Sequence, residues 1–193
     1  MIEYTSIVIV NGRLNYGGKG GAGVRKAIYA GSFDPITNGH VDILLRSSRM
    51  FDQIIVAVVH NVHKRSLFSL EERVEQVCAS LSGLDNVEVI CLEGLVTDYM
   101  RENGIQTIIR GLRSITDFEY EAQITFFNQR LLPEADTIFM MSDPQYTFVS
   151  STGVKEAALF GGDVSSLVPS VVANGLSEKS EKLRAAGELP GFK

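Results

Sequence analysis

The sequence predicts an α/β fold: a doubly wound sheet of five parallel strands, with flanking helices and further helices at the C-terminus. From Arg25 onward, segments with strand character alternate with segments of helical periodicity, and the connections are long enough to hold helices. Residues 54–59 form an uninterrupted apolar run rich in β-branched side chains, which is typical of a strand buried on both faces of a parallel sheet. The length of 193 residues suits one domain of this kind.

The individual elements follow from periodicity and from start and stop signals. The second helix is predicted to begin after Ser69, because Glu72 lies three residues further on, as in a capping box. Gly104 ends the third helix and Pro133 ends the fourth. The predicted strands are residues 26–30, 53–60, 87–92, 107–109 and 137–141. The predicted helices are residues 39–51, 70–81, 96–103, 116–132, 151–160 and 168–183.

Residues 1–24 differ in composition from the rest of the chain. Six of the thirteen residues from 11 to 23 are glycine, a composition that resists regular structure. The run 18–23 fits the pattern G-x-G-x-x-G, but a strand rather than a helix follows it, so a flexible linker is the favoured interpretation. We therefore predict an N-terminal extension over residues 1–24 and one functional domain over residues 25–193.

Composition argues against several functional classes. The formal net charge of −5 disfavours a general binder of nucleic acid or of anionic membranes. The longest strongly apolar run without a charge, residues 54–59, is far shorter than a membrane span. Cys78 and Cys91 are too few for a disulfide scaffold, so we expect reduced thiols in a cytoplasmic protein. Together with the three histidines they make no metal-ligand spacing, and a structural zinc site is not expected.

The strongest local signal lies at residues 31–40, between the first predicted strand and the first predicted helix. At a helix N-terminus, backbone N–H groups and the helix dipole favour an anion. Ser32 offers a hydroxyl and an amide to a phosphate, and His40 on the first helical turn can donate to phosphate oxygens. A plainer interpretation makes Thr37 or Asn38 the helix cap and His40 a surface residue, but it leaves the rest of the ten-residue arrangement unexplained.

Cations follow two other strands of the predicted sheet. Lys64 and Arg65 come after the second strand, and Arg110 and Arg113 come after the fourth. Ligands of open parallel sheets lie at the carboxyl ends of the strands, so this placement predicts a phosphate site. After the fifth strand, the Ser-Ser-Thr sequence at 150–152 is expected to cap a helix and to offer free N–H groups.

Acidic residues on the fourth predicted helix raise a different possibility, hydrolysis by paired carboxylates. On a helix, Asp117 and Glu121 share a face and Glu119 does not, and no sequence feature raises the pKa of any of them. We interpret Asp117 and Glu119 as a solvated helix face.

Four segments together resemble the phosphopantetheine adenylyltransferase family of the nucleotidyltransferase superfamily. The sequence Thr37-Asn38-Gly39-His40, inside the run 31–40, resembles the (H/T)-x-G-H signature of the superfamily. The other matching segments are residues 64–73, residues 109–113 with 117–121, and residues 146–152, in order and at compatible spacing. The resemblance covers about residues 25–180 and implies a Rossmann-like domain.

The resemblance implies a role for each matching residue. His40 would stabilise the transition state and contact ATP, and Ser32 would contact both substrates. The residues implied for phosphopantetheine are Ser32, Lys64, Val96 and Arg110. The residues implied for ATP are Ser32, Phe33, His40, Gly111, Leu112, Arg113, Glu121, Tyr146, Thr147, Phe148, Val149, Ser150, Ser151 and Thr152. Three positions depart from the family pattern: Ser32 replaces a common Thr, Ala30 a frequent Pro, and Tyr146 a frequent Trp that would lie by the adenine.

The implied activity is transfer of AMP from ATP to 4′-phosphopantetheine, which gives 3′-dephospho-CoA and pyrophosphate. The resemblance also implies Mg²⁺, bound mainly through the ATP phosphates with no metal ligand from the protein, and a homohexamer; neither nucleic acid nor a membrane is an expected partner. Two alternatives stay open. One is another adenylyl- or cytidylyltransferase of the superfamily, such as one acting on nicotinamide mononucleotide, and the other is a non-catalytic nucleotide sensor with the same fold.

Overall fold

A computed structural model describes residues 24–59 and 66–187, which form a five-stranded sheet with helices on both faces. The strands are β1 (Lys26–Gly31), β2 (Gln53–Val59), β3 (Val87–Leu92), β4 (Thr107–Leu112) and β5 (Asp136–Met141). The α-helices are α1 (Asn38–Ser47), α2 (Leu70–Ser80), α3 (Val96–Asn103), α4 (Ile115–Leu131), α5 (Ser151–Leu159) and α6 (Ser170–Ala186). A short 3₁₀ helix spans Pro144–Tyr146.

The strands lie in the order β3-β2-β1-β4-β5, and every neighbouring pair is parallel. The chain builds outward from β1 through β2 and β3, then crosses to the other side of β1 for β4 and β5. This reversal places the topological switch point between β1 and β4, where ligands of such sheets bind. The predicted doubly wound sheet of five parallel strands is confirmed.

Two apolar cores, one on each face of the sheet, account for the continuous apolar run in β2. Ile54, Val56 and Val58 belong to the core that contains residues of α1, α2, α5 and α6. Ile55 and Ala57 belong to the second core, which includes Met100 of α3 and Leu132 after α4. Successive strand residues face opposite sides of a sheet, so a strand covered on both faces needs no polar alternation. No helix in the described part of the chain is long and apolar enough to cross a bilayer.

One departure from the predicted elements concerns β4, which was predicted to end at Ile109 and extends to Leu112. Its pairing with β5 continues through Arg110 and Gly111 as far as Leu112, opposite Met141. An arginine followed by glycine has weak strand character by itself, so here the pairing with a neighbouring strand overrides local preference. As a consequence, Arg110 is held on a strand instead of a loop.

Three helix boundaries differ by more than one residue from the prediction. Helix α1 ends at Ser47 instead of residue 51, because the amides of Arg49 and Met50 bond to the carbonyls three residues back, those of Arg46 and Ser47, in a tighter turn than the α-helix. Helix α6 begins at Ser170 instead of residue 168, with Pro169 as its N-cap, and continues past the predicted end at 183 to Ala186. His60, the predicted last residue of the second strand, lies outside the described residues, as does the extension over residues 1–23.

Candidate active site

A cavity of about 390 Å³ opens at the switch point, above the carboxyl ends of β1 and β4. Its walls come from the turn after β1, the first turn of α1, the end of β4, the start of α4 and the segment that leads into α5. The residues predicted for the site that line it are Ser32, Phe33, His40, Arg110, Gly111, Arg113, Glu121, Tyr146, Val149, Ser150, Ser151 and Thr152. These candidate residues therefore cluster at and just beyond the carboxyl ends of the strands.

The turn between β1 and α1 is stabilised by aromatic packing at Phe33. This residue is buried and has a φ of +45°, a left-handed conformation that is unfavourable for a bulky side chain. Its ring makes edge contacts with the rings of Tyr29 and His40, at centroid distances of 5.8 and 5.4 Å. Strained backbone of this kind persists when surrounding contacts determine it, and it clusters at binding sites. The ring contacts fix the turn next to the cavity.

His40 is part of the N-terminal cap of α1. The Thr37 amide donates to Nδ1 of His40 at 3.0 Å, and the Thr37 hydroxyl lies 3.0 Å from the same nitrogen. Because a backbone amide can only donate, Nδ1 accepts and the ring proton is on Nε2. Burial, assisted by the positive charge of Arg113, lowers the pKa of His40 to about 4. At neutral pH the cavity therefore contains a neutral imidazole with one donor, Nε2–H.

The plainer interpretation of this turn is right about the helix cap but wrong to make His40 a surface residue. Thr37 is the N-cap, but His40 occupies the position that Glu or Gln takes in an ordinary capping box. The imidazole therefore has two roles, one structural through Nδ1 and one available to a ligand through Nε2.

Arg110 lies at the switch point, where its side chain bridges β1 and α4. Its Nη1 donates to the Ala30 carbonyl at 3.1 Å, and its Nε lies 3.2 Å from Oε2 of Glu121. Both side chains of this ion pair are about one-fifth exposed, so the guanidinium is oriented and still accessible from the cavity. An oriented, accessible guanidinium is well suited to bind a phosphate.

Arg113 is held by Asp117 in a two-pronged ion pair. Its Nε and Nη2 donate to the two carboxylate oxygens at 2.9 and 3.1 Å, and its backbone amide donates to Asp117 at 3.0 Å. These hydrogen bonds, above all those from the side chain, lower the pKa of Asp117. The interpretation of Asp117 as a solvated residue was therefore wrong, because it orients a cavity arginine; Glu119 is exposed, as predicted.

The N-terminus of α5 forms the opposite wall. Ser150 is the N-cap and accepts from the Gly153 amide at 3.0 Å, which confirms the predicted capping. The Ser151 hydroxyl donates to the Pro35 carbonyl at 2.8 Å and so ties this helix to the turn after β1. Ser150, Ser151 and Thr152 all line the cavity, where the first turn of α5 offers amides to an anion.

Of the remaining predicted residues, those that the structure describes do not line the cavity. Leu112 is buried at the end of β4, and Phe148 is 72% exposed. The Thr147 hydroxyl donates to the Pro144 carbonyl at 3.0 Å, and Val96 packs against the core on the α3 face of the sheet. Lys64, together with Arg65, lies outside the described residues, and its predicted role is untested.

Two buried charged residues next to the site were missed by sequence reasoning. The Asp34 carboxylate accepts from the amides of Leu67 and Phe68 and from the Lys155 ammonium. The Arg73 guanidinium, only 2% exposed, donates to the Ser32 and Val59 carbonyls. Both stand inside the segments that carry the family resemblance, yet the partners just named are more than ten residues away in sequence, so no local signal identifies them.

The carboxylates of the cavity do not form a metal cage. Within residues 24–59 and 66–187, no three His, Cys, Asp or Glu side chains are grouped so that they could hold a metal ion. Asp117 and Glu121, the cavity carboxylates, are each paired with an arginine.

Comparisons with known proteins identify the family. A sequence model described as cytidylyltransferase-like matches residues 28–157. A phosphopantetheine adenylyltransferase from Syntrophomonas wolfei is 57% identical over 81% of this chain and 97% of its own length. A protein of the same name from Alkaliphilus metalliredigens is 48% identical over 81% of this chain and 100% of its own length.

Among solved structures, a crystal structure titled as that of a nicotinate-nucleotide adenylyltransferase from Vibrio parahaemolyticus superposes with a TM-score of 0.61. It covers 80% of this chain and 93% of the other, at 19% sequence identity, so it supports the fold alone. The fold, the residues at the switch point and the two close relatives agree with one another. The chain belongs to the cytidylyltransferase-like nucleotidyltransferases and, among them, to the phosphopantetheine adenylyltransferase family.

Proposed function

We propose that the chain transfers AMP from ATP to 4′-phosphopantetheine and produces 3′-dephospho-CoA and pyrophosphate. The observation that carries this proposal is the neutral His40, oriented by the Thr37 amide beside Arg113 in the cavity at the switch point. A phosphate oxygen of phosphopantetheine attacks the α-phosphorus of ATP, a new P–O bond forms, and the bond from the α-phosphorus to the bridging oxygen of pyrophosphate breaks. The attacking oxygen is already ionised at neutral pH, so the protein need not supply a base.

Catalysis then depends on positioning and on stabilising charge in the transition state. His40 Nε2–H donates to the α-phosphate, where negative charge builds up as the incoming oxygen bonds. A fixed neutral donor suits this task because it requires no proton transfer and little reorganisation during the reaction. The cap that holds Nδ1 supports this role, since it fixes the direction of the opposite ring nitrogen.

The cations divide between the two substrates in this proposal. Arg110, at the end of β4 and beside Ala30, binds the phosphate of phosphopantetheine together with Lys64, and Val96 contacts its pantetheine arm. Arg113 and the first turn of α5 bind the triphosphate of ATP, and Glu121 and Tyr146 contact the nucleoside. The guanidinium of Arg113 also donates to the Val149 carbonyl at 3.4 Å, which supports a placement between β4 and α5.

Mg²⁺ fits this site as an ion that arrives with ATP. The charges of Arg110 and Arg113 are formally cancelled by Glu121 and Asp117, so the described cavity residues leave much of the triphosphate charge for other cations to neutralise. Because both carboxylates are already paired with arginines, we expect the ion to be bound mainly through ATP oxygens. When bound, Mg²⁺ neutralises charge on the departing pyrophosphate.

We also propose a homohexamer, for which α4 provides a candidate contact surface. None of the residues in α4 is buried, although the helix carries Phe118, Phe126 and Phe127, and the latter two are 69% and 66% exposed. Exposed aromatic side chains on one helix are a feature of interaction surfaces. The free thiols of Cys78 and Cys91, together with the use of ATP, support a cytoplasmic location.

One assay tests the proposed reaction against its relatives. Pyrophosphate release from ATP is measured with phosphopantetheine, nicotinamide mononucleotide or glycerol 3-phosphate as the second substrate. We expect release with phosphopantetheine alone. Release with either of the other substrates but not with phosphopantetheine would overturn the assignment, and ATP binding without release for any of the three would favour a nucleotide sensor.

A further inference from the structure

Arg73, on the first turn of α2, is the most deeply buried charged side chain in the described part of the chain. Its exposed fraction is 2%, and no carboxylate among residues 24–59 and 66–187 lies within ion-pair distance of it. Burying a charge is costly unless it is paired or fully hydrogen-bonded. A buried guanidinium of this kind therefore needs an explanation beyond stability.

The partners of Arg73 are backbone carbonyls on three separate segments. Nη1 donates to the carbonyls of Ser32 at 2.7 Å and Val59 at 3.2 Å, and Nε donates to the carbonyl of Ser69 at 3.3 Å. Ser32 follows β1 and Val59 ends β2, so one guanidinium joins the carboxyl ends of two neighbouring strands. The Ser69 bond fixes the guanidinium to the start of its own helix.

The bond to Ser32 has a directional consequence for the cavity. In a planar trans peptide the carbonyl and the following N–H point in opposite directions, so the position of the Ser32 oxygen determines the direction of the Phe33 N–H. Arg73 does not line the cavity, whereas Ser32 and Phe33 do. Because Arg73 holds the Ser32 carbonyl on the side away from the cavity, the Phe33 N–H points toward the cavity. The guanidinium also polarises this peptide and so makes its N–H a stronger hydrogen-bond donor.

We propose that Arg73 is a positioning residue that fixes and polarises the Ser32–Phe33 peptide so that the Phe33 amide donates to a phosphate oxygen of ATP. The proposal rests on the proposed function, which makes ATP the occupant of this turn. The left-handed φ of Phe33 agrees with this proposal, because that conformation persists only under restraint from its surroundings. The hydrogen bond from Arg73 to the Ser32 carbonyl supplies such a restraint.

The test compares Arg73→Met and Arg73→Lys with Val77→Ala. Methionine removes the charge and all three hydrogen bonds, whereas lysine keeps the charge but not the planar fork. Val77 lies one helical turn further along α2 and is completely buried, so its truncation perturbs the same helix without touching Ser32. Circular dichroism and melting curves establish which variants are folded at the assay temperature.

We expect Arg73→Met to lower kcat/KM for ATP on the order of 10-fold to 100-fold, as misplacement of one donor does. Calorimetric titration should show weaker ATP binding in the same variant. Arg73→Lys should recover part of the loss, and Val77→Ala should melt at a lower temperature with nearly unchanged kinetic constants. Wild-type constants in folded Arg73→Met, or equal kinetic losses in Val77→Ala, would overturn the proposal.

A second measurement uses the wild-type protein and remains decisive if the Arg73 variants do not fold. With ¹⁵N-labelled phenylalanine, the amide resonance of Phe33 should move downfield when ATP is added, as a new charge-assisted hydrogen bond requires. An unchanged Phe33 resonance at saturating ATP would contradict the proposal. A wild-type protein that binds ATP with this shift but does not use phosphopantetheine would overturn the proposed function and leave the role of Arg73 intact.

Discussion

The Thr37 amide donates to Nδ1 of His40 over 3.0 Å, and this one hydrogen bond joins the stability of α1 to the chemistry of the cavity. It caps the helix at one ring nitrogen and assigns the proton to the other. It also opposes protonation of Nδ1, in the same direction as the burial that lowers the pKa of His40 to about 4. The protonation state of this residue can therefore be tested by itself.

We predict that His40 stays neutral well below its ordinary pKa of about 6.5. Nitrogen NMR of the free protein at pH 6 should show Nδ1 unprotonated and Nε2 protonated, with titration near pH 4. A protonated ring at pH 6 would contradict the geometry of the cap.

The same pKa predicts how stability depends on pH. Since the folded pKa lies below the unfolded value, the unfolded state binds more protons between pH 6.5 and 4. The contribution of His40 to stability is therefore complete above the unfolded pKa and is lost as pH falls toward the folded pKa. Denaturant unfolding at a fixed protein concentration should show this loss in the wild type and a smaller one in His40→Gln, whose side chain can still cap but does not titrate.

Arg110→Ala should weaken phosphopantetheine binding more than ATP binding. The guanidinium is proposed to bind the phosphate of phosphopantetheine, and its removal also leaves the Glu121 carboxylate without its partner next to an incoming anion. We expect a loss of affinity of about 10-fold to 100-fold, the range for a hydrogen bond between charged groups. Lys64→Ala should act in the same direction.

Calorimetric titration of both substrates measures this selectivity. Arg25→Ala is the matched control, because Arg25 is an exposed cation at the opposite end of β1 and pairs with Asp52. Equal losses for both ligands in Arg110→Ala would mean that Arg110 binds the other phosphate group or acts only on the fold.

Phe126→Glu should weaken assembly if α4 forms subunit contacts. The side chain is 69% exposed in the single chain, so a charge there costs the isolated fold little but is unfavourable inside an apolar interface. Sedimentation velocity should show a hexamer for the wild type and smaller species for the variant. As a control, Met50→Glu changes an exposed position beyond α1 and should keep the assembly mass of the wild type. If Phe126→Glu also kept that mass, this part of α4 would not be a subunit contact.

Deletion of residues 1–24 should leave folding and activity nearly unchanged. Every residue assigned to the site lies after Lys26, and the glycine-rich composition gives this segment little capacity to pack. Steady-state kinetics and melting curves of the truncated protein test this. A loss of about 10-fold in rate, equivalent to about 1.4 kcal/mol, would show that the segment belongs to the functional domain.

Much of the fold and of the cavity follows from local sequence. The run 54–59 indicates a parallel sheet because no other soluble arrangement buries both faces of a strand so readily. Once the sheet is parallel, Ser32, His40, Arg110 and Arg113 come together because they lie at or just beyond the carboxyl ends of the neighbouring strands β1 and β4. The physical basis of this success is topological: strand order determines which loops meet.

What local sequence did not predict depends on contacts between distant segments. The continuation of β4 through Arg110 depends on pairing with β5, and the link from Arg73 to Ser32 spans 41 residues. The fork between Arg113 and Asp117 is local, at a spacing of four residues, but its place in the cavity wall depends on how the strands are ordered. The cap by His40 was missed because that position ordinarily holds Glu or Gln.

Single-turnover kinetics of His40→Ala test the proposed role of this imidazole in the transition state. An interaction that strengthens in the transition state affects kcat more than substrate binding. We expect kcat to fall by about 10²–10³-fold, the range for one preorganised donor, with much smaller changes in the affinities for ATP and phosphopantetheine. The variant should also lose some stability because Nδ1 caps α1, and His40→Gln should recover that stability without recovering full kcat. A folded His40→Ala protein with near-normal kcat would contradict the account and leave His40 with its capping role alone.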